Sequence, residues 1–291
     1  MKKLLPVFFY LSASISLLAS GEVHKKAEKI DIGVDLEWLP ITNSMVTSWV
    51  VSLFIILLIR LTVGKPKLVP GKGQIAIESV IGTLRSIVQP IVGKKVFFPS
   101  LWLLSGLFFF ILMHNVSGLL PGVGTIGWGT EIDGHFVVED KLIRPGNADL
   151  NMTLALALVS MACWFYFIFA YAGPKVILYD LFGTKAKKKD VGTVIYYCLV
   201  PLFLAVGVIE ILSIVFRPVS LTFRLFGNVF GGESLLHSMF VLGDKFGLAW
   251  VIPVPFYFME LLIGIVQALV FMLLVAVYIG LICNHGEGEE H

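Results

Sequence analysis

Charge is the first thing this sequence has little of. Of its 291 residues only 14% are charged, where a soluble domain carries roughly a quarter. Cysteine is scarce as well. Cys163, Cys198 and Cys283 all lie in apolar runs and none forms a CxxC pair, so they read as small buried hydrophobes rather than a redox or metal motif. There is no nucleotide-binding glycine loop, no GxSxG and no HExxH. The chain therefore reads as doing no covalent chemistry of its own, with no cofactor and no metal expected. A net charge of +2 without a concentrated basic face argues against nucleic acid as a partner.

What the sequence has is apolar surface: 57% of the residues are hydrophobic and 23 are Phe. Several runs are long enough to cross a bilayer as helices, so the class is an all-α integral membrane protein with the lipid bilayer as its solvent. Residues 1–20 place two lysines before a short apolar core and small residues, the pattern of a bacterial signal peptide. Residues 21–42 read as an exported segment, and residues 43–291 as the membrane domain. Spans are expected at Asn43–Val63, Pro99–Leu120 and Asn151–Tyr171. Between the first two, Gln74–Val92 sets Ile77, Ile81, Leu84 and Val88 along one side of an otherwise polar helix, which suits a helix lying in the interface. Thr193–Leu242 is about twice the length of an upright span and leaves no room for a loop, so one long tilted helix is expected. Pro253–Cys283 reads as a second one. The count is five crossings plus the interfacial helix. Loops 60–98 and 173–192 are basic and loop 121–150 is not, which puts the N-terminus outside and the C-terminus in the cytoplasm.

The chemistry lies where polarity interrupts the long helix. Glu210, Ser213, Arg217, Ser220, Arg224, Asn228 and Gly231 recur every three or four residues, which places them on one stripe. A charge at membrane depth costs at least a few kcal/mol unless it meets water or a partner. Arg224 sits between Phe223 and Leu225, and a guanidinium keeps its proton even when desolvated. A permanent cation there suits a carboxylate that must be induced to give up a proton; a static ion pair that fixes helix packing is the alternative. No acidic residue follows Arg224 within a turn, so its partner is sought elsewhere. Glu233 lies nine residues on, about 13 Å along the axis, with His237 one turn beyond. Glu260 and Gln267 share a face of the last helix. These groups at staggered depths suit an aqueous path for protons or cations. His114 and Asn115, in the second span, are further candidates.

The stretch PVSLTFRLFGNVFGGE ending at Glu233 resembles the signature of subunit a of the F-type ATP synthase membrane sector. Ala148–Thr153 (ADLNMT), Asn115 with Leu119-Leu120-Pro121, and Gln267–Met272 with Tyr278 resemble other parts of that family, over about residues 43–291. The resemblance implies that Arg224 faces a rotating c-ring, with the last two helices tilted against it, and keeps two half-channels apart. It places Asn228, Glu233, Gln267 and Glu210 at positions tied to ion passage; Ser220 of the stripe and Asn115 of the second span are added as candidates from the residues themselves. Glu260 stands where some members have histidine. Implied partners are the c-ring, the peripheral-stalk b subunits and the rest of the F1Fo complex, in a bacterial inner membrane. A self-contained secondary ion transporter is the rival reading; it requires an internal repeat and an acidic partner for Arg224 within the chain.

Overall fold

The computed structural model describes residues 42–120, 127–132, 135–141, 144–173, 193–248 and 250–283. The expected signal peptide, nearly all of the exported segment, the basic run Lys185–Lys189 and the C-terminal tail lie outside the described residues. Six helices are present among them: α1 (Asn43–Val63), α2 (Lys72–Val92), α3 (Lys94–Gly118), α4 (Leu150–Phe167), α5 (Thr193–Lys245) and α6 (Pro253–Cys283). All six contain a stretch long and apolar enough to cross a bilayer. The chain is an all-α membrane protein, with one departure from the expected loop at 121–150. There, β1 (Gly127–Ile132) and β2 (His135–Lys141) pair as an antiparallel hairpin with an irregular register at Trp128/Gly129. The strands are only six and seven residues long, a signal too brief to stand out against the long apolar runs.

The helix limits follow local chemistry. Gly64 closes α1 with its N–H on the Arg60 carbonyl, 2.9 Å, at φ 59°. Gly93, at φ 82°, is the single residue between α2 and α3. A β-carbon is disfavoured at either position. Thr193–Lys245 is one continuous helix of 53 residues, with Pro201 and Pro218 inside it. At Pro218, which supplies no N–H, the hydroxyl of Thr222 donates to the Pro218 carbonyl at 2.7 Å. Past Phe167, α4 loosens into a π-helical turn over Ile168–Ala172.

The described residues fall into two compact units. One draws on those within Met1–Gln74, Leu107–Thr153 and Phe223–Val270; the other on those within Ile75–Gly106, Leu154–Thr222 and Phe271–His291. The first unit is unusually polar inside. Asn43, Ser44, Thr47 and Ser48, on the opening turns of α1, are buried. They pack against the segment holding the short 3-10 turn Gly146–Ala148. The Ser44 hydroxyl donates to Asp149 at 2.8 Å and the Arg144 N–H donates to the Thr47 hydroxyl at 3.2 Å. Buried groups hydrogen-bonded in this way avoid the penalty of desolvated polarity.

The second unit is an apolar core. Leu84, Val88 and Val92 bury one side of α2, the side on which Ile77 and Ile81 also lie, while Ile75 and Val80 remain exposed. From the other helices come Phe97, Leu104, Trp164, Phe167, Phe271, Met272 and Ile279, all nearly inaccessible. The indole of Trp164 donates to the Tyr278 carbonyl at 2.7 Å. Both units leave large apolar residues exposed, such as Leu53, Phe54, Phe216 and Leu262. In water such a surface aggregates; facing lipid tails it is the ordinary surface.

At Gly280 the end of α2 comes so close that a β-carbon would run into the Ile91 carbonyl. Gly280→Val is therefore expected to lower stability by about 1–3 kcal/mol, the usual cost of overpacking. A depressed melting temperature of the protein in detergent micelles checks this; an unchanged one contradicts the close approach.

Candidate functional site

The α6 sequence places Glu260, Gly264 and Gln267 at i, i+4 and i+7, along one face. In the first unit each meets a different group. The Glu260 carboxylate fills the space that a β-carbon at Gly232 of α5 would need. The Gly264 carbonyl accepts from Asn115 Nδ2 of α3 at 2.9 Å. The side chain of Gln267 accepts from Asn228 Nδ2 of α5 at 2.7 Å. Glycine at 232 and 264 is what lets the helices close on these polar groups: at 264 a β-carbon would lie 3.1 Å from Asn115 Cβ.

Behind this seam, Asn115 is buried, and its carbonyl oxygen accepts from Asn147 Nδ2 at 2.7 Å. Glu260 and Gln267 are buried as well, at 9% and 5% exposure. Glu233, next to Gly232, is half-buried, and its Oε2 is enclosed without a protein partner. Gln267 Nε2 is in the same position. His237 is half-buried one turn beyond Glu233. The seam therefore joins three helices through amides and carboxylates, with acceptor and donor capacity left over.

Arg224 is different. It is exposed, and no hydrogen bond or ion pair ties it to any described residue. Ser220, one turn before it, is exposed too, as are Gly227 and Gly231 beyond it. A β-carbon at Gly227 or Gly231 would meet nothing within 4 Å. Two glycines inside a helix each cost roughly 0.5–1 kcal/mol relative to alanine. Nothing among the described residues uses the room they leave. Small residues four apart are how membrane helices come into close contact.

The other unit holds the lower part of the stripe. Glu210 is half-exposed and Ser213 exposed. Arg217 does not pair with Glu210, the local partner its spacing suggests; no ion pair joins the two. Its guanidinium lies 4.4 Å from the Tyr278 ring centre and 5.3 Å from that of Trp164, two cation–π contacts. Aromatic stacking accommodates this charge, with Glu210 near enough to favour it electrostatically.

A model of the ATP synthase A chain family matches residues 45–280. The ATP synthase subunit a of Gloeobacter violaceus is 30% identical over 256 residues, covering 86% of this chain and 89% of that protein. The chain belongs to the ATP synthase A chain family. With membership comes the coarse role, an ion-conducting stator component of the synthase membrane sector, in a multi-pass membrane protein.

Against that background, the structure brings Asn115, Asn228, Glu233, Glu260 and Gln267 together in one unit, with His237 and Arg224 on the same unit's segment of α5. Glu210 and Ser220 fall in the other unit. Sequence reasoning missed Gly232, Asn147 and the Trp164–Tyr278 cage. Gly232 was within reach, since a Gly-Gly pair immediately before a membrane carboxylate signals close approach. Asn147 was not, because a single amide in a loop carries no periodicity.

Replacing Asn228 by Leu leaves both ends of the buried Gln267 amide without a side-chain partner. The variant is expected to be destabilised by about 1–3 kcal/mol, read as an earlier unfolding midpoint in micelles. Wild-type stability in Asn228→Leu contradicts the hydrogen bond.

Proposed function

We propose that this chain loads and unloads carboxylates on a ring of c subunits turning against it, through two aqueous half-channels, so that proton or sodium flow drives rotation and ATP synthesis. The observation that carries the reading is Arg224, a permanent cation exposed on the apolar flank of α5 with no carboxylate among the described residues to answer it. The ring carboxylate supplies the missing partner.

The magnitudes favour such a cycle. At about 4 Å and an effective dielectric constant near 20, opposite charges attract by about 4 kcal/mol. A bare carboxylate in lipid is disfavoured by roughly 2.5–3.5 kcal/mol or more. The ring site is therefore ionised beside Arg224 and neutral in lipid. Ions arrive from outside through the region of Glu233, His237 and Glu260, with Asn115, Asn228 and Gln267 lining it. They neutralise the ring site, which travels through lipid and returns to Arg224 from the other side. Arg224 then favours the ionised form, and the ion leaves past Ser220 and Glu210 to the cytoplasm. Gly227 and Gly231 give a ring helix room to approach Arg224. Moving one charge through 100 mV supplies about 2.3 kcal/mol, so several ions are needed for each ATP. The membrane is the bacterial inner membrane, with the N-terminus outside, the C-terminus in the cytoplasm and the b subunits of the peripheral stalk anchoring the chain. The basic loops 60–98 and 173–192 support this orientation.

Arg224→Ala is expected to abolish ATP-driven ion pumping in inverted membrane vesicles while the complex still assembles. Pumping at the wild-type rate in that variant contradicts the role. Gly232→Ala is expected to displace the Glu260 carboxyl and slow pumping about tenfold, equivalent to roughly 1.4 kcal/mol of barrier. An unaltered rate shows that the placement of Glu260 beside Gly232 does not matter to ion flow.

A further inference from the structure

His114, a candidate from the second span, takes no part in the cycle proposed above. It is wholly buried in α3, at 0% exposure. Both ring nitrogens are enclosed and neither has a protein hydrogen-bond partner. A neutral imidazole carries one donor and one acceptor, so burying it with both unmet is costly, and burying it charged more so. Phe110, one turn earlier, packs on the ring at 4.4 Å between centres, which positions the imidazole but satisfies neither nitrogen.

The surroundings show where those nitrogens lead. On one side is Gly146, where a β-carbon would lie 3.1 Å from His114 Nδ1 and 2.6 Å from the Ser48 hydroxyl. The next residue, Asn147, is buried, holds Asn115 through its Nδ2 and leaves its Oδ1 enclosed without a partner. Asn115 reaches the Gly264 carbonyl of α6, one turn from Glu260 and three residues from Gln267, whose Nε2 is also unmet. Unmet polar atoms thus occur at His114, Asn147, Gln267 and Glu233, all within one compact unit. Buried polar atoms in native proteins are met by protein or by ordered water, and an internal water needs two to four such partners. The charged groups facing this region are few. The segment against α1 brings Arg144 and Asp149, both buried, with Asp149 accepting from Ser44. Among its described buried residues, α1 contributes only the amide and hydroxyls of Asn43, Ser44, Thr47 and Ser48. From α6 and α5 come Glu260 and Glu233.

We propose that His114 is a proton relay on the outer access path, in series with water held by Asn147 and Asn115. The inference rests on the stator reading above and makes its ion the proton. One ring nitrogen accepts a proton from water on the outer side, and the proton on the other nitrogen passes to water on the Asn147 side. One proton enters and one leaves, and rotation of the ring restores the starting tautomer. An imidazole serves this purpose because its two nitrogens exchange donor and acceptor roles at physiological pH. A hard cation such as sodium is instead held by oxygen ligands.

The test uses the whole synthase in inverted vesicles, comparing wild type, His114→Gln and Arg224→Ala. The readout is passive proton conductance after removal of the catalytic head, as the lumenal pH, which is the outer side, is varied between about 5 and 8. His114→Gln is expected to conduct at least about tenfold more slowly, with its dependence on lumenal pH flattened. Conductance and pH profile equal to wild type overturn the relay. Wild-type conductance driven by a sodium gradient without proton movement also overturns it, yet leaves the stator reading intact. Absence of any ion conductance in the wild-type complex, or ATP-driven pumping at the wild-type rate in Arg224→Ala before the head is removed, overturns the stator reading itself. Should His114→Gln fail to assemble, the wild-type complex still decides. Met113–His114 is the only Met–His pair in the chain, so paired isotope labelling isolates its ring nitrogens by nuclear magnetic resonance. Water exchange and titration with outer pH are expected there. Ring signals that neither titrate nor contact water overturn the proposal.

Discussion

The structure depends on one unanswered charge. Arg224 cannot shed its proton in a low-dielectric setting as a lysine can, and no described residue offers it a carboxylate in contact. Arg217, seven residues earlier, shows the alternative. Its guanidinium rests on Tyr278 and Trp164, and Trp164 is itself fastened to the Tyr278 carbonyl. The chain thus has a way to accommodate a membrane cation internally, and it uses that way for one arginine and not for the other. The contrast separates a cation held against the chain's own rings from one left exposed.

The polar groups of the first unit are organised by backbone proximity more than by charge pairing. Gly232, Gly264 and Gly146 each lie where a β-carbon would collide with Glu260, Asn115, or Ser48 and His114. Removing side chains at these points lets α3, α5, α6 and the 144–149 segment close around carboxylates, amides and an imidazole. Gly227 and Gly231 are glycines of the other kind, open on the outer face of α5. One set closes the seam inside the chain; the other leaves a smooth flank beside Arg224.

Much of the fold was legible because the bilayer imposes a coarse grammar. Span length and apolar runs gave the limits of α1 and α6, and the absence of a loop at Phe216–Pro218 gave the single helix α5. The apolar spacing in Gln74–Val92 anticipated the buried side of α2, though α2 is also long and apolar enough to cross, so composition alone leaves its placement between the two. The hairpin was not legible, since two strands of six and seven residues have no helical period and no apolar run. Of the candidate site, spacing placed Arg224, Asn228, Glu233, Glu260 and Gln267 on the two long helices, where the structure has them. Spacing gave no warning of tertiary pairings such as Asn147 with Asn115, or Arg217 with Trp164, because those partners lie on separate segments and nothing local in the sequence links them.

The most direct test is a density map of the intact complex in a membrane-like environment, fine enough to place the Arg224 guanidinium. The expected result is Arg224 facing the carboxylate-bearing helices of the c-ring, with the nearest ring helix lying over Gly227 and Gly231. Arg224 paired with a carboxylate of its own chain, or turned to lipid with the ring against another face of α5, would contradict the account.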